Sequence, residues 1–532
     1  PSSAHQSTIE LFNADISVLA RLPVVFITVR FILGHSIIIA MQSLPANIYS
    51  VASVREMDRI AIEEQGIEGY TLMQRAAAAA LKVARSAFPG AARWQIVCGA
   101  GNNGGDGYVL AQLAARDGIL VSVMSLVDPD SLSGDAARAH ADYRSEGGLV
   151  SAWSGELDND AELLIDAILG SGLERDVGGA FAAAVDRMNA HQASVHALDI
   201  ATGIHADTGA VMGCAVRADI TTTFVGLKAG LFLGEGPKHS GRISFASLGI
   251  DDTARAGLPV LYRRIAAESI ARRLPPRART AHKGDFGHVL VIGGGPGMPG
   301  AALLCGEAAL RTGAGKVTIA THPEHAAAIA ARRPELMCRG VATSDELRRL
   351  LDNADVIASG PGLGQSEWAE QMMTAVAIDS RPSVWDADAL HRLAKQPNKM
   401  SSRIITPHPG EAGKLLARRT ADIQADRRGA LADLQQTYGG VAVLKGAGTL
   451  VSASSGAPWL SGSGNPGMAA PGMGDVLTGV IAALLAQGLG LEEAAAIGVE
   501  MHATAGDLAA IDGERGMLAA DVIHALRRVA NP

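Results

Sequence analysis

The sequence predicts an α/β protein of two domains, each built on a parallel sheet covered by helices on both faces. Three observations carry this expectation. A chain of 532 residues is too long for one ordinary core. Short, nearly continuous apolar runs alternate with helical patterns, which is how strands buried on both faces read. The 62 glycines fall in clusters just after apolar runs, where backbone must approach something closely or turn with positive φ. In open α/β sheets ligands bind beyond the carboxyl ends of the strands, so these clusters are where chemistry is expected.

The first stretch stands apart. Val24 to Met41 is strongly apolar but is interrupted by Arg30 and His35. A spanning helix needs about 20 apolar residues, and an arginine at mid-membrane costs about 2.5 kcal/mol or more. The following Gln42-Ser43-Leu44 is a poor signal-cleavage site. Residues 1–45 are therefore set aside as an extension with Met41 a candidate start, a membrane or targeting role being the lesser alternative.

From Ser53 the pattern is helical, and Leu72 to Ala84 is alanine-rich and amphipathic. Strands are expected at Trp94–Cys98, Leu120–Leu126, Leu163–Leu169, Val195–Ile200 and Ile220–Val225, with a helix at Tyr108–Arg116. A break rich in Arg, Ala and Pro follows at 251–280 and reads as an exposed linker. A second series begins with the strand His288–Ile292 and the helix Ala301–Thr312. It continues through Lys316–Ala320, Val356–Ser359, Ser383–Asp386, Arg403–Thr406 and Val441–Leu444 to a last long apolar helix, Val476–Gln487. The expected domains are thus 46–250 and 281–532.

Composition narrows the function. The aromatic share is 4%, the net charge is −8, and no basic face recurs, so nucleic-acid binding is not expected. Cys98, Cys214, Cys305 and Cys338 are far apart with no CxxC spacing, which argues against a disulfide framework or a zinc site. A reducing, cytoplasmic setting is expected.

In the first half, residues 99–104 match GxGxxG after a strand, but Asp106 brings a charge where a pyrophosphate would sit. The longer string GNNGGDGYVLA is more informative. Its backbone N–H groups can form an anion nest at a helix start, and Asn102, Asn103 and Asp106 add side-chain oxygens. Asp166 in LLIDAILGSG and Asp199 in DIATG also sit at strand ends. Either alone can be a helix cap, but three such loops from neighbouring parallel strands converge.

These strings, in this order, resemble the NAD(P)H-hydrate epimerase domain, a Rossmann-like three-layer αβα fold. The resemblance implies that the substrate is hydrated NADH or NADPH. It implies substrate contacts from Asn102, Asn103, Gly104, Gly105 and Asp106, from Gly170, Ser171, Gly172, Leu173, Glu174, Arg175 and Asp176, and at Asp199. It further implies a potassium ion held by Asn103, Asp166 and Thr202. The family commonly has Pro-Ser where this chain has Ala201-Thr202, and Thr keeps the hydroxyl. A weakly charged set of oxygen donors suits such an ion. Epimerisation needs proton movement, for which Asp199 is the candidate acid/base. Lys228, in TFVGLKAGLF, is either its neighbour or a surface lysine.

The second half carries GPGLG, TPHPGE, KGAGT and, most specifically, NPGMAAPGMGDVLTG at 465–479. Gly472 and Gly474 leave the backbone bare before an apolar helix, whose dipole and free N–H groups favour phosphate. Asp475 sits in the first turn, where a carboxylate can act as base towards a hydroxyl, or be no more than an N-terminal helix acid.

This is similar to the GxGD turn of the ribokinase-like superfamily. With HKGDFGHVLVIGG and TPHPGE beside it, the half resembles the ADP-dependent NAD(P)H-hydrate dehydratases, again a three-layer αβα fold. The resemblance implies nucleotide contacts at Lys445, Gly446, Ala447, Gly448, Thr449 and Gly474, and hydrate contacts at Ala301, Gly362, His408 and Asp475. ADP is the implied co-substrate, with magnesium as its companion, and a homo-oligomer is expected. Ala470-Pro471 departs from the family's usual Thr-Gly-Gly but leaves both glycines of the turn. Two rival readings remain: a vitamin-precursor kinase in the second half, and a catalytically silent scaffold module in the first.

Overall fold

The computed structural model describes the backbone of residues 25–30, 36–41, 44–266 and 268–531, and side chains from residue 44 onward within those bounds. Residues 1–45 and 46–532 form two separate compact units. In the first, Val25–Arg30 pairs antiparallel with Ser36–Met41, so this apolar stretch forms a strand pair where a spanning helix was the alternative. The rest of that stretch lies outside the described residues. No helix among the described residues is long and apolar enough to cross a membrane.

The unit 46–532 holds two sheets. The first is seven-stranded, in the order Arg242–Ala246, Ile220–Phe224, Ser194–Leu198, Leu163–Ala167, Arg93–Cys98, Leu120–Ser125, Val150–Ala152, and every pairing is parallel. All five residues of Leu163–Ala167 and of Ile220–Phe224 are buried, as both-face coverage requires. The chain order reverses between Arg93–Cys98 and Leu163–Ala167, and the loops leaving these strands part to open a crevice. Gly99 sits at this parting, where a Cβ would overlap the Ile168 carbonyl oxygen.

The second half repeats the plan. Five parallel strands, Val441–Leu444, Arg403–Ile405, Ser383–Trp385, Val356–Ser359 and His288–Ile292, lie in that order, followed by Lys316–Thr321 and Met337–Gly340. The order again reverses at the first strand, and Gly293 lies under the Pro361 carbonyl as Gly99 lies under that of Ile168. An apolar core packs the helices Pro299–Thr312 and Met473–Ala486 on this sheet.

Three departures from the sequence expectation matter. The helix expected at Tyr108 begins at Asn102, so the glycine-rich string forms its first turns. The helix Met473–Ala486 is not the last long apolar one, because Leu491–Ala509 follows it with a nearly continuous buried stretch. Residues 251–280 are not a plain exposed linker: they contain the strand Val260–Arg264 and the helix Glu268–Arg273. That strand pairs antiparallel with Asn47–Tyr49 and parallel with Trp459–Ser461, and Leu227–Lys228 adds to the far side of Asn47–Tyr49. One ribbon therefore runs from the first half into the second sheet.

Candidate active sites

Beyond the carboxyl ends of the first sheet lies a cavity of about 880 Å³. Asn102, Asn103 and Asp106 reach it from the helix Asn102–Arg116, whose N-terminus carries no side-chain cap. The loop 170–176 forms a second wall, and Asp199 and Lys228 close the floor. Gly104 and Gly105 do not line it. The first packs under Gly99, and the second against Met73 and Ala136.

Asp199 follows the strand Ser194–Leu198 with φ 66, a left-handed conformation that a short acidic side chain tolerates and that clusters at functional sites. Its Oδ2 accepts from the Ser171 N–H at 3.1 Å, and its Oδ1 is bound by the Lys228 ammonium. Lys228 is 1% exposed and donates also to Thr223 Oγ1 at 3.0 Å and the Phe224 carbonyl at 2.8 Å. Burial pushes the Asp199 carboxyl up, but the Lys228 and Ser171 donors outweigh it and hold the group below its ordinary value. Asp199 is thus an ionised acceptor. The alternative of a surface Lys228 is excluded.

Beneath the cavity, Asp166 is fully buried. Its Oδ2 accepts from the Thr202 N–H at 2.8 Å, and its Oδ1 from the Thr202 hydroxyl at 2.7 Å and the Ile168 N–H at 3.2 Å. Burial raises it to about 6 against these hydrogen bonds. Both polar atoms of the Asn103 amide are buried without a hydrogen-bond partner, a costly state unless something binds there.

The second site sits on the second sheet. Gly472, with φ 89, precedes the helix Met473–Ala486, and Asp475 occupies its first turn. Burial and the nearby Asp386 charge raise Asp475 to about 7, with Lys445 pulling the other way. Lys445 Nζ lies 2.7 Å from Asp386 Oδ1 and 3.9 Å from Glu411. The Thr478 hydroxyl donates to Asp386 Oδ2 at 3.1 Å. A Cβ on Gly474 would fall 3.0 Å from Asp386 Oδ2 and 3.2 Å from Lys445 Nζ, so only glycine leaves that corner open.

The loop 445–449 is tied from below by the buried Arg427, which donates to the Leu444 and Gly448 carbonyls at 3.2 Å. Gly446 and Gly448 both have positive φ, and Ala447 is exposed at the tip. Thr449 closes the loop through its hydroxyl on the Gly446 carbonyl. His408 caps the helix Pro409–Leu416, accepting from the Gly410 N–H at 3.0 Å. Ala301 and Gly362 meet at the switch point, where a Cβ on Gly362 would stand 2.9 Å from that of Ala301.

Comparison with known proteins places this geometry. Residues 289–528 match the NAD(P)H-hydrate dehydratase family model, and residues 69–230 the model of the YjeF-related protein N-terminus. The chain is 44% identical to the bifunctional NAD(P)H-hydrate repair enzyme Nnr of Escherichia coli (strain K12), over 92% of this chain and 95% of that one. The chain belongs to the bifunctional NAD(P)H-hydrate repair enzymes. The Coxiella burnetii member is 43% identical, with 91% of this chain and 99% of that one covered. A solved ADP/ATP-dependent NAD(P)H-hydrate dehydratase from Bacillus subtilis, co-crystallised with ATP/Mg2+, is 32% identical. It covers 49% of this chain and 95% of its own, with a TM-score of 0.45.

Family membership removes the vitamin-kinase rival. It also directs attention to groups that the sequence reading assigned no role. Asp386 ends the strand Ser383–Trp385 and is 2% exposed, the same strand-end signal that marked Asp166 and Asp199. Glu411 and Thr478 stand inside quoted motifs, yet only the fold shows them turned towards Lys445 and Asp386. Arg55 and Asp58, on the helix Val51–Glu63, line the first cavity, and nothing in their local sequence marks them.

Proposed function

We propose that this chain restores hydrated NADH and NADPH in two steps, epimerising the R and S forms in its first half and dehydrating the S form in its second at the expense of ADP. The division of labour follows 46–250 and 281–532, with 251–280 between them and 1–45 outside both. The observation that carries the second assignment is Asp475, a carboxyl raised to about 7 at a bare helix N-terminus beside the half-buried Lys445.

Water is a poor leaving group, and phosphorylation converts the substrate hydroxyl into a good one. Asp475 takes the hydroxyl proton as that oxygen attacks the terminal phosphoryl of ADP, releasing AMP. The ring nitrogen lone pair then expels phosphate, which leaves with the C–O electron pair, and loss of a proton from the neighbouring carbon to solvent restores the ring double bond. Lys445 and the N–H groups around Gly474 offset the phosphate charge, and the loop 446–449 holds the rest of the nucleotide. Ala301, Gly362 and His408 border the hydrate. Magnesium needs only one or two carboxylates beside substrate phosphates, of which Glu411 could be one, and when bound it would neutralise phosphate charge.

In the first half the hydrated dinucleotide lies against Asn102 to Asp106 and the loop 170–176, with Asp199 as the proton-transfer group and Lys228 fixing its charge. Arg55 lines the cavity beside Gly172, where its guanidinium suits a phosphate of the substrate. The orphaned Asn103 amide, the Asp166 carboxylate and the Thr202 hydroxyl fit a potassium ion, which when bound supplies a fixed positive charge beneath the substrate. Four free thiols support a reducing, cytoplasmic setting.

Incubation of the purified chain with mixed epimers of NADH hydrate and ADP tests this. The near-ultraviolet absorbance of reduced nicotinamide is expected to return in full, with AMP formed in equal amount. No return of absorbance would refute the assignment.

A further inference from the structure

The epimerase cavity contains a carboxyl group that the assignments above leave without a task. Asp58 lies on the helix Val51–Glu63 and lines the same cavity as Asp199 and Lys228. It is half-buried and accepts no hydrogen bond and forms no ion pair among the described residues. Structural carboxylates at such depth are normally satisfied, as Asp166 is by three donors. Asp58 instead faces the open cavity.

The neighbours define what it can do. Lys228 spends its three protons on Asp199, Thr223 and the Phe224 carbonyl, so it has none to give a substrate. Asp199 is held ionised by that lysine and is the acceptor of the resting site. Exchange of a hydroxyl between two faces of a ring needs an acceptor on one side and a donor on the other. Hydration of an enamine places the hydroxyl on the carbon beside the ring nitrogen, so the nitrogen lone pair can expel it.

We propose that Asp58 is the proton donor of the epimerase, working with Asp199 as the acceptor. Protonated Asp58 gives its proton to the hydroxyl, the C–O bond breaks with its electron pair on oxygen, and water leaves. The nitrogen lone pair forms the C=N bond of a ring cation. Water then adds to the other face, closing the C–O bond, and its extra proton goes to Asp199. One proton has moved from Asp58 to Asp199, and solvent resets both.

Burial raises Asp58 to about 6 despite the Lys228 ammonium, with Asp199 adding to the rise, so it can both hold and release a proton near neutrality. Asp106, the third carboxyl of the group, is buried and pushed well above its ordinary value by burial and by its two acidic neighbours. Two carboxyls driven apart around one lysine are the pattern of an acid and a base.

This inference rests on the epimerase reading of the cavity, and the test separates the two. R-enriched NADH hydrate and ADP are given to the whole protein. The slow phase of absorbance recovery above the enzyme-free rate reports epimerisation, and the fast phase on S-hydrate reports the dehydratase. Asp58→Asn is expected to lower kcat of the slow phase about 100-fold or more with KM little changed. The fast phase stays as in the wild type and Tm does not fall, which excludes misfolding. In the wild type, epimerase kcat/KM should fall as pH rises through about 6, the window set by Asp58 among Asp199, Asp106 and Lys228. Asp58→Glu should restore part of the rate, whereas Asp58→Asn should erase that limb. Wild-type epimerisation by Asp58→Asn, with Asp199→Asn inactive, would overturn the inference alone. Loss in Asp106→Asn but not in Asp58→Asn would do the same. If neither Asp58→Asn nor Asp199→Asn slowed epimerisation, the reading of the cavity would fall too.

Discussion

Lys445 Nζ stands 2.7 Å from Asp386 Oδ1, and a Cβ on Gly474 would meet both side chains. Asp386 is 2% exposed, so its charge depends on this lysine. Lys445→Met leaves a buried carboxylate uncompensated, which costs about 3–5 kcal/mol. Dehydratase activity should disappear, with a clear fall in Tm measured by thermal melting, while epimerisation assayed below the new Tm survives.

Asp475 gives a pH dependence with a definite sign. As a base it must be ionised, so dehydratase kcat/KM should decline as pH drops through about 7. Asp475→Asn should remove activity by a factor of about 100 or more. Stability moves the other way. A carboxyl whose folded pKa is raised favours the folded state when protonated, and that stability is lost as pH climbs from 3.8 through about 7. Asp475→Asn should therefore raise Tm above pH 7 and leave it unchanged below 3.8.

Lys228→Met separates the activities in the opposite direction. Without the ammonium, only the Ser171 donor opposes burial, which pushes the Asp199 carboxyl up towards its protonated form. Epimerisation should be lost while dehydration of the S form continues, as a two-phase absorbance assay would show.

Replacing potassium by sodium tests the orphaned Asn103 amide. The epimerase rate should drop severalfold in the wild type, and Asn103→Ala should be slow in either salt. The dehydratase phase serves as the control. An epimerase indifferent to the cation would remove potassium from the site.

Much of this was legible in the residues. The strands His288–Ile292, Val356–Ser359 and Val441–Leu444 have the bounds their apolar runs suggest, because strands buried on both faces need apolar residues throughout. Asp475 was legible for a different reason: flanking glycines have few other uses before an apolar helix. Short edge strands such as Val150–Ala152 and Met337–Gly340 were not, since a strand with one exposed side carries little pattern. Asp58 and Arg55 were hidden because they sit on an ordinary amphipathic helix far in sequence from every motif. Only the packing of that helix over Asp199 and Lys228 makes them part of a site. Glu411 reads as the acid of a capping box with His408, and it is one; its second relation, to Lys445, is long-range.

The ribbon formed by Leu227–Lys228, Asn47–Tyr49, Val260–Arg264 and Trp459–Ser461 bears on how such a protein could arise or be divided. Lys228 of the first centre is four residues from Phe232, whose carbonyl leaves no room for a Cβ on Gly448 in the nucleotide loop. A gene split between the two activities would leave each product with an open strand edge and an uncovered apolar face, both of which invite aggregation. Separation would thus require new edge residues on both sides, and an intact chain should melt in a single transition.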